Sequence, residues 1–105
     1  MVTIPKIENT YGFVYGATWL PNGKNIVWCC DQGLQRTELL TQRTVRLRSA
    51  CEGRRYDNPA VSPDGRQLVV ERTDQRVSDD DYLMHTEINM WTLNLDGTNE
   101  QQVKI

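Results

Sequence analysis

The chain has 105 residues, 38% of them hydrophobic and 25% charged, with a formal net charge of −2. This composition excludes a disordered or low-complexity chain, and a chain of this size is one domain at most, able to bury only about two-thirds of its unfolded surface. The near-neutral charge gives no general reason to expect nucleic acid, and no apolar run approaches the roughly 20 residues that span a bilayer, so no membrane insertion is expected.

In chain order, the opening Met1-Val2-Thr3-Ile4-Pro5-Lys6 lacks the apolar stretch of a signal peptide. A cytoplasmic address is expected, or a periplasmic one if the natural N-terminus is truncated here. Residues 2–7 suggest a short strand that Pro5 confines to a sheet edge. Residues 12–20 read as a strand in which Gly12 and Gly16 permit close backbone approach. The turn Pro21-Asn22-Gly23 leads into a strand over 24–30. Its Ile26-Val27-Trp28 is apolar without alternation, the pattern of a strand covered on both faces. A loop through Asp31-Gln32-Gly33 precedes two further strands, 37–42 and 44–48. In the second of these, Val45 and Leu47 alternate with arginines, as on a half-buried outer strand.

Residues 51–58 read as a polar loop and 59–62 as a short strand. Pro63 presets φ for the first corner of a type I turn, Asp64 suits the second, and Gly65 tolerates the left-handed conformation that returns the chain to a strand. Strand 67–72, with Leu68-Val69-Val70 again apolar throughout, is followed by a long polar insertion over 74–86 and a strand over 87–95. Asp96-Gly97 is a two-residue hairpin signal that requires positive φ at both corners, and 100–105 closes the set.

The order of elements recurs. Sliding the chain against itself places Ala17 through Trp28 on Pro59 through Val70, an offset of 42 residues at which Trp19 falls on Val61. Four short antiparallel strands at such a period form the pattern of a propeller blade. The stretch Asn58-Pro59-Ala60-Val61-Ser62-Pro63-Asp64-Gly65, with the later Asp96-Gly97-Thr98-Asn99, resembles the TolB-type β-propeller repeat, which carries a Pro-Ser-Pro-Asp-Gly-like turn after its first strand and an Asp-Gly turn after its third. The first copy departs from it, with Leu20 at the serine position, Asn22 at the aspartate and no Asp-Gly after its third strand. The expected organisation is all-β: an N-terminal segment over 1–11, one blade over 12–57 and a second over 58–105.

Closed propellers use about 4 to 8 blades, and two alone leave an apolar face at each end. A homo-oligomer is therefore expected to close the ring. The resemblance favours six blades, hence a trimer. A truncated piece of a longer propeller with no independent function is the competing reading, because repeats of this kind are modular. The charge distribution suits head-to-tail contact: residues 1–57 carry eight Lys/Arg against five Asp/Glu, and residues 58–105 carry four against nine.

The resemblance implies that the loops after the second and fourth strands gather on one polar rim, the ligand face, with the Pro-Asp-Gly turns on the other. On that rim Arg54, Arg55, Tyr56, Asp57, Asp79, Asp80, Asp81 and Tyr82 are the candidates for contact with a protein or peptide, and Asp64 and Asp96 read as turn formers. Three adjacent aspartates are oxygen donors for calcium, but the spacing fits no calcium loop, and a solvated charge run is the commoner meaning. His85 and the cysteines lack the short paired spacings of a zinc site, so no cofactor is expected. The three cysteines, without a secretory signal, read as buried thiols rather than disulfides. Ser49, Ser62 and Ser78 lack a nucleophile motif. The sequence thus points to a non-catalytic binding or scaffold module. An enzyme for a small molecule or glycan, its site assembled at the ring axis from acids such as Asp57 or Asp81, is the alternative.

Overall fold

The computed structural model describes residues 14–51, 53–77 and 84–104. These residues are all-β. β1 (Val14–Trp19), β2 (Asn25–Cys30), β3 (Gly33–Glu38) and β4 (Arg43–Ser49) form one four-stranded sheet, sheet A; β5 (Arg54–Val61), β6 (Gln67–Val77), β7 (Met84–Asn94) and β8 (Gln101–Gln102) form the second, sheet B. Every pairing is antiparallel between sequence neighbours. Among the described residues there is no helix, and so none long and apolar enough to cross a membrane. The strand expected over 2–7 lies outside the described residues, as does Gly12.

The turns follow from their residues. Gly65 N–H donates to Ser62 O at 2.9 Å with Gly65 at φ 74°, and Gly23 N–H donates to Leu20 O at 3.0 Å with Gly23 at φ 69°. The Asp64 carboxylate accepts from Ser62 Oγ at 2.6 Å and from the Arg66 amide at 3.0 Å, so it closes the turn, and these bonds hold it below the usual aspartate range. Asp96 does the same with Thr98. The Asp96-Gly97 hairpin differs from the expectation: only Gly97 has positive φ and its N–H reaches Asn94 O, the bond the other two turns also make, while Asn94 N–H to Thr98 O closes a three-residue loop, one residue longer than expected.

Several strand boundaries differ from the sequence reading. The third strand is Gly33–Glu38, not 37–42, because a tight turn at Asp31-Gln32 pairs Cys30 with Gly33 and Cys29 with Leu34. Leu39 and Leu40, which suggested a strand, lie in the following turn, and Leu40 is 93% exposed. In β4 the register shifts opposite Leu34/Gln35, so Val45 is exposed while Leu47 packs on the core. The polar loop over 51–58 is instead mostly β5, and residues 74–77 and 84–86 of the expected polar insertion belong to β6 and β7. There three cross-strand pairs are polar, Asp74 with Glu87, Gln75 with Thr86 and Arg76 with His85, and one, Val77 with Met84, is apolar. Strand pairing needs backbone groups, not apolar side chains, and a stretch that overhangs the other sheet has nothing apolar to face. Cys29 and Cys30 are buried on opposite faces of β2, but Cys51 is exposed, against the expectation for all three.

The core lies between the sheets. Val27 and Cys29 of β2 and Leu34 of β3 meet Tyr56, Leu68, Val70 and Leu93 of sheet B. Each fully buried aliphatic side chain there stabilises the fold by roughly 1.5–3 kcal/mol. β2 is buried on its other face as well, where Ile26, Trp28 and Cys30 form a second group with Leu39. Trp28 Nε1 donates to Thr37 Oγ1 at 2.8 Å in that group, which satisfies the indole without water.

Three joints fix how sheet B sits on sheet A. Gly16 faces Pro59, where a Cβ would stand 3.3 Å from Pro59 Cδ; Pro59 itself lies in a bulge between Asp57 and Ala60. The Pro21 ring packs on Gly65, stacking one Pro-x-Gly turn on the other. Gly97 lies against β4: a Cβ would fall 2.7 Å from Leu47 O and 2.9 Å from Leu47 Cβ. Gly97→Ala thus combines a left-handed backbone with a clash against main chain, and is expected to lower the unfolding free energy by about 2–3 kcal/mol. Gly23→Ala, left-handed but with nothing within 4 Å, is expected to cost only about 1 kcal/mol. Urea unfolding of the two variants measures the difference.

Candidate functional site

The face of sheet B that meets sheet A changes character along its length. On β6 the same-face residues run Leu68, Val70, Arg72, Asp74, and the last two are charged. Arg72 Nε donates to Asp74 Oδ2 at 2.9 Å and Arg72 Nη1 to Glu100 Oε1 at 3.0 Å. Arg54 Nε donates to Asp74 Oδ1 at 2.9 Å, and the Tyr56 hydroxyl donates to Glu100 Oε2 at 2.6 Å. From sheet A, Arg48 Nη1 lies 4.0 Å from Glu100 while its Nε donates to Gly97 O at 2.9 Å. The Arg72 guanidinium lies 3.7 Å from the centroid of the Trp91 ring, a stacked cation–π geometry.

Arg72 and Glu100 are each only 10% exposed at the side chain, so their pairing is largely withdrawn from water. Burial alone raises the Asp74 carboxyl, but the bonds from Arg72 and Arg54 outweigh it and hold the group below the usual aspartate range. Burial, and then donation to Glu100, pushes the Tyr56 hydroxyl well up. A carboxylate held by two guanidiniums is a poor proton acceptor, so this network acts as a clamp between sheets rather than as an acid–base pair.

The residues expected on the rim divide between the two faces of β5. Arg54 and Tyr56 turn into the clamp. Arg55 and Asp57 turn the other way and pair with each other, Nε to Oδ2 at 3.1 Å, with the Arg55 guanidinium 5.5 Å from the Tyr15 ring centroid. The Tyr15 hydroxyl in turn donates to Asp31, so strands of both sheets and the β2–β3 turn meet there. Beside this group, Gly53, Arg54, Arg55, Thr73 and Gln75 line a shallow cleft of about 180 Å³. Asp79, Asp80, Asp81 and Tyr82 lie outside the described residues, and with them the carboxylates considered for calcium. Among the described residues no group of three or more His, Cys, Asp or Glu side chains is placed to hold a metal.

Arg72, Asp74 and Glu100 were not singled out by sequence. The signal that could have found the first two is the period-two continuation of the apolar face of β6 into charge. No family model matches the chain, and neither a curated protein nor a solved structure is significantly similar to it.

Arg72→Ala leaves Glu100 buried without its closest cation, and a broken buried pair is expected to cost about 3 kcal/mol in unfolding free energy. Because the Asp74 carboxyl is held down in the folded state, its contribution is complete above the unfolded value near 3.8 and is lost as pH falls through the lower folded value. Asp74→Asn is therefore expected to flatten the acid limb of stability below about pH 4, read by urea midpoints across pH. Burial, with Asp57 and Cys30 adding to it, pushes the Cys29 thiol up to about 12. Titration of the native protein with a thiol reagent is expected to modify Cys51 quickly and Cys29 only on unfolding.

Proposed function

We propose that the two sheets are successive blades of a TolB-like β-propeller, closed into a ring by further copies of the chain. Three copies would supply six blades. In this reading the ring is a non-catalytic scaffold that offers its polar rim, Arg55 and Asp57 included, to a protein or peptide.

One observation carries the reading: the contact between the sheets is head-to-tail with respect to the repeat. At an offset of 42 residues, Ile26 and Trp28 correspond to Leu68 and Val70, while Val27 and Cys29 correspond to Val69 and Glu71. Sheet A uses its Val27/Cys29 face to receive the Leu68/Val70 face of sheet B. The contact is thus made by two different faces of the repeat, and contacts of that kind propagate until a ring closes. The corresponding receiving face of sheet B is open. Through the ladders, Leu34 opposite Cys29 corresponds to Met90 opposite Glu71. Leu34 is fully buried between the sheets, whereas Met90 is 42% exposed, with Ile88 beside it at 59%. A further copy packed there would bury this strip as Leu34 is buried; the Ile26/Trp28 face that the repeat would bring is already buried within each chain, so closing the ring requires that its cover move aside.

Mass by light scattering tests the assembly. A mass that is a multiple of three chains is the predicted result, and Met90→Glu should abolish the three-copy species without changing the far-ultraviolet circular dichroism. A monodisperse single chain at micromolar concentration would rule out the ring.

A further inference from the structure

β7 is much longer than the strand that covers it. β8 pairs with it only at Trp91 and Thr92, and the last bond of that ladder runs from Val103 N–H to Met90 O at 2.8 Å. From Met84 to Ile88, β7 pairs with β6 on one side and has no strand on the other among the described residues. Backbone groups of a strand point alternately to its two sides, so Met84, Thr86 and Ile88 share the orientation of Met90 and turn their N–H and C=O groups to the open edge. The β6 partner of Thr86 agrees: Gln75 N–H is directed to Gly53 O, away from β7. The five side chains from Met84 to Ile88 are all exposed, and the stretch has no proline, lysine or bulge of the kind that blunts an edge.

We infer that this edge pairs with the same edge of a second copy, antiparallel about a two-fold axis at Thr86. Antiparallel pairing requires opposed residues to be of the same hydrogen-bonding kind, and this register meets the requirement throughout. Thr86 faces Thr86 of the other copy, Ile88 faces Met84, and about six backbone hydrogen bonds form. Glu87 faces His85. Because Glu87 lies beside Asp74, and His85 beside Arg76, an acidic cross-strand pair on each copy meets a pair containing an arginine on the other. A shift by one residue would set edge-directed groups against groups directed to β6, and would separate these pairs. The contact uses the sheet edge, not a sheet face, so it does not rest on the proposed ring.

The test is a cysteine placed on the axis. Opposed Cα atoms in a hydrogen-bonded antiparallel pair are about 5.5 Å apart, within reach of a disulfide. In a Cys51→Ser background, Thr86→Cys is expected to give covalent dimer under mild oxidation in several-fold higher yield than Gln75→Cys, one strand further in. Yields equal to that control would overturn the proposal. Thr86→Pro removes an edge donor while leaving the β6 ladder intact, and is expected to abolish reversible dimer formation in a Met90→Glu protein, where face contacts are absent; an unchanged dimer would also overturn it. Slow amide exchange at Thr86 and Ile88 in a chain of monomer mass would mean that another segment of the same chain covers the edge, and would equally overturn it.

Discussion

A four-stranded sheet has two faces and cannot bury either alone, and the structure is arranged around that constraint. β2 is the strand that benefits most, with Asn25 through Cys30 all buried. Its Val27 and Cys29 lie under sheet B, and this placement depends on close approach of β5, which only small or flat residues at Gly16 and Pro59 permit. The stacked turns and the Gly97 contact then leave one relative position for the two sheets. Since none of these joints is large, their effect comes from acting at separate points of the contact: Pro21 on Gly65 between the β1–β2 and β5–β6 turns, and Gly97 of the β7–β8 turn on Leu47 of β4.

Where the apolar side chains stop, the contact continues in charge. A buried ion pair is not a strong source of stability, because desolvation offsets most of its attraction, but it is intolerant of misplacement. Arg48, Arg54, Arg72, Asp74 and Glu100 come from both sheets and four separate strands or loops. Their bonds form only when β5, β6 and the segment before β8 are in one register relative to β4. The Trp91 ring beneath Arg72 extends the apolar floor under the first charge, so the transition from core to network occurs within one side chain.

Much of the fold was legible in the sequence, and what was not follows a rule. Unalternating apolar runs at Ile26-Val27-Trp28 and Leu68-Val69-Val70 identified β2 and β6, and the Pro-x-Gly turns located their hairpins. What failed was the reading of polar stretches as loops. Residues 54–58 and 74–76 are polar because they hold the clamp or overhang it, and both are strand. Hydrophobic periodicity detects burial, not backbone pairing, so strands that bury charge or nothing at all escape it. The rim candidates show the same limitation. Arg54 to Asp57 are adjacent in sequence, yet alternation along β5 sends Arg54 and Tyr56 to Asp74 and Glu100 and turns Arg55 and Asp57 towards Tyr15, a division that a loop assignment could not reveal.

On the proposed repeat, the two ends of the molecule are not equivalent. If sheet B were an exact copy of sheet A, its outward face would carry a cysteine and a leucine at the positions equivalent to Cys29 and Leu34. It carries Glu71 and Met90 instead. The Glu71 carboxylate is held by Asn58 Nδ2 at 3.0 Å, so the charge is anchored to one side of the face while the flexible thioether occupies the centre. Methionine adapts to an irregular partner at little cost, whereas a buried carboxylate requires one that is well placed. A face built in this way tolerates water better than the one beneath sheet B. Under the proposed ring it is the face left for a further copy, while the inter-sheet core holds the chain together.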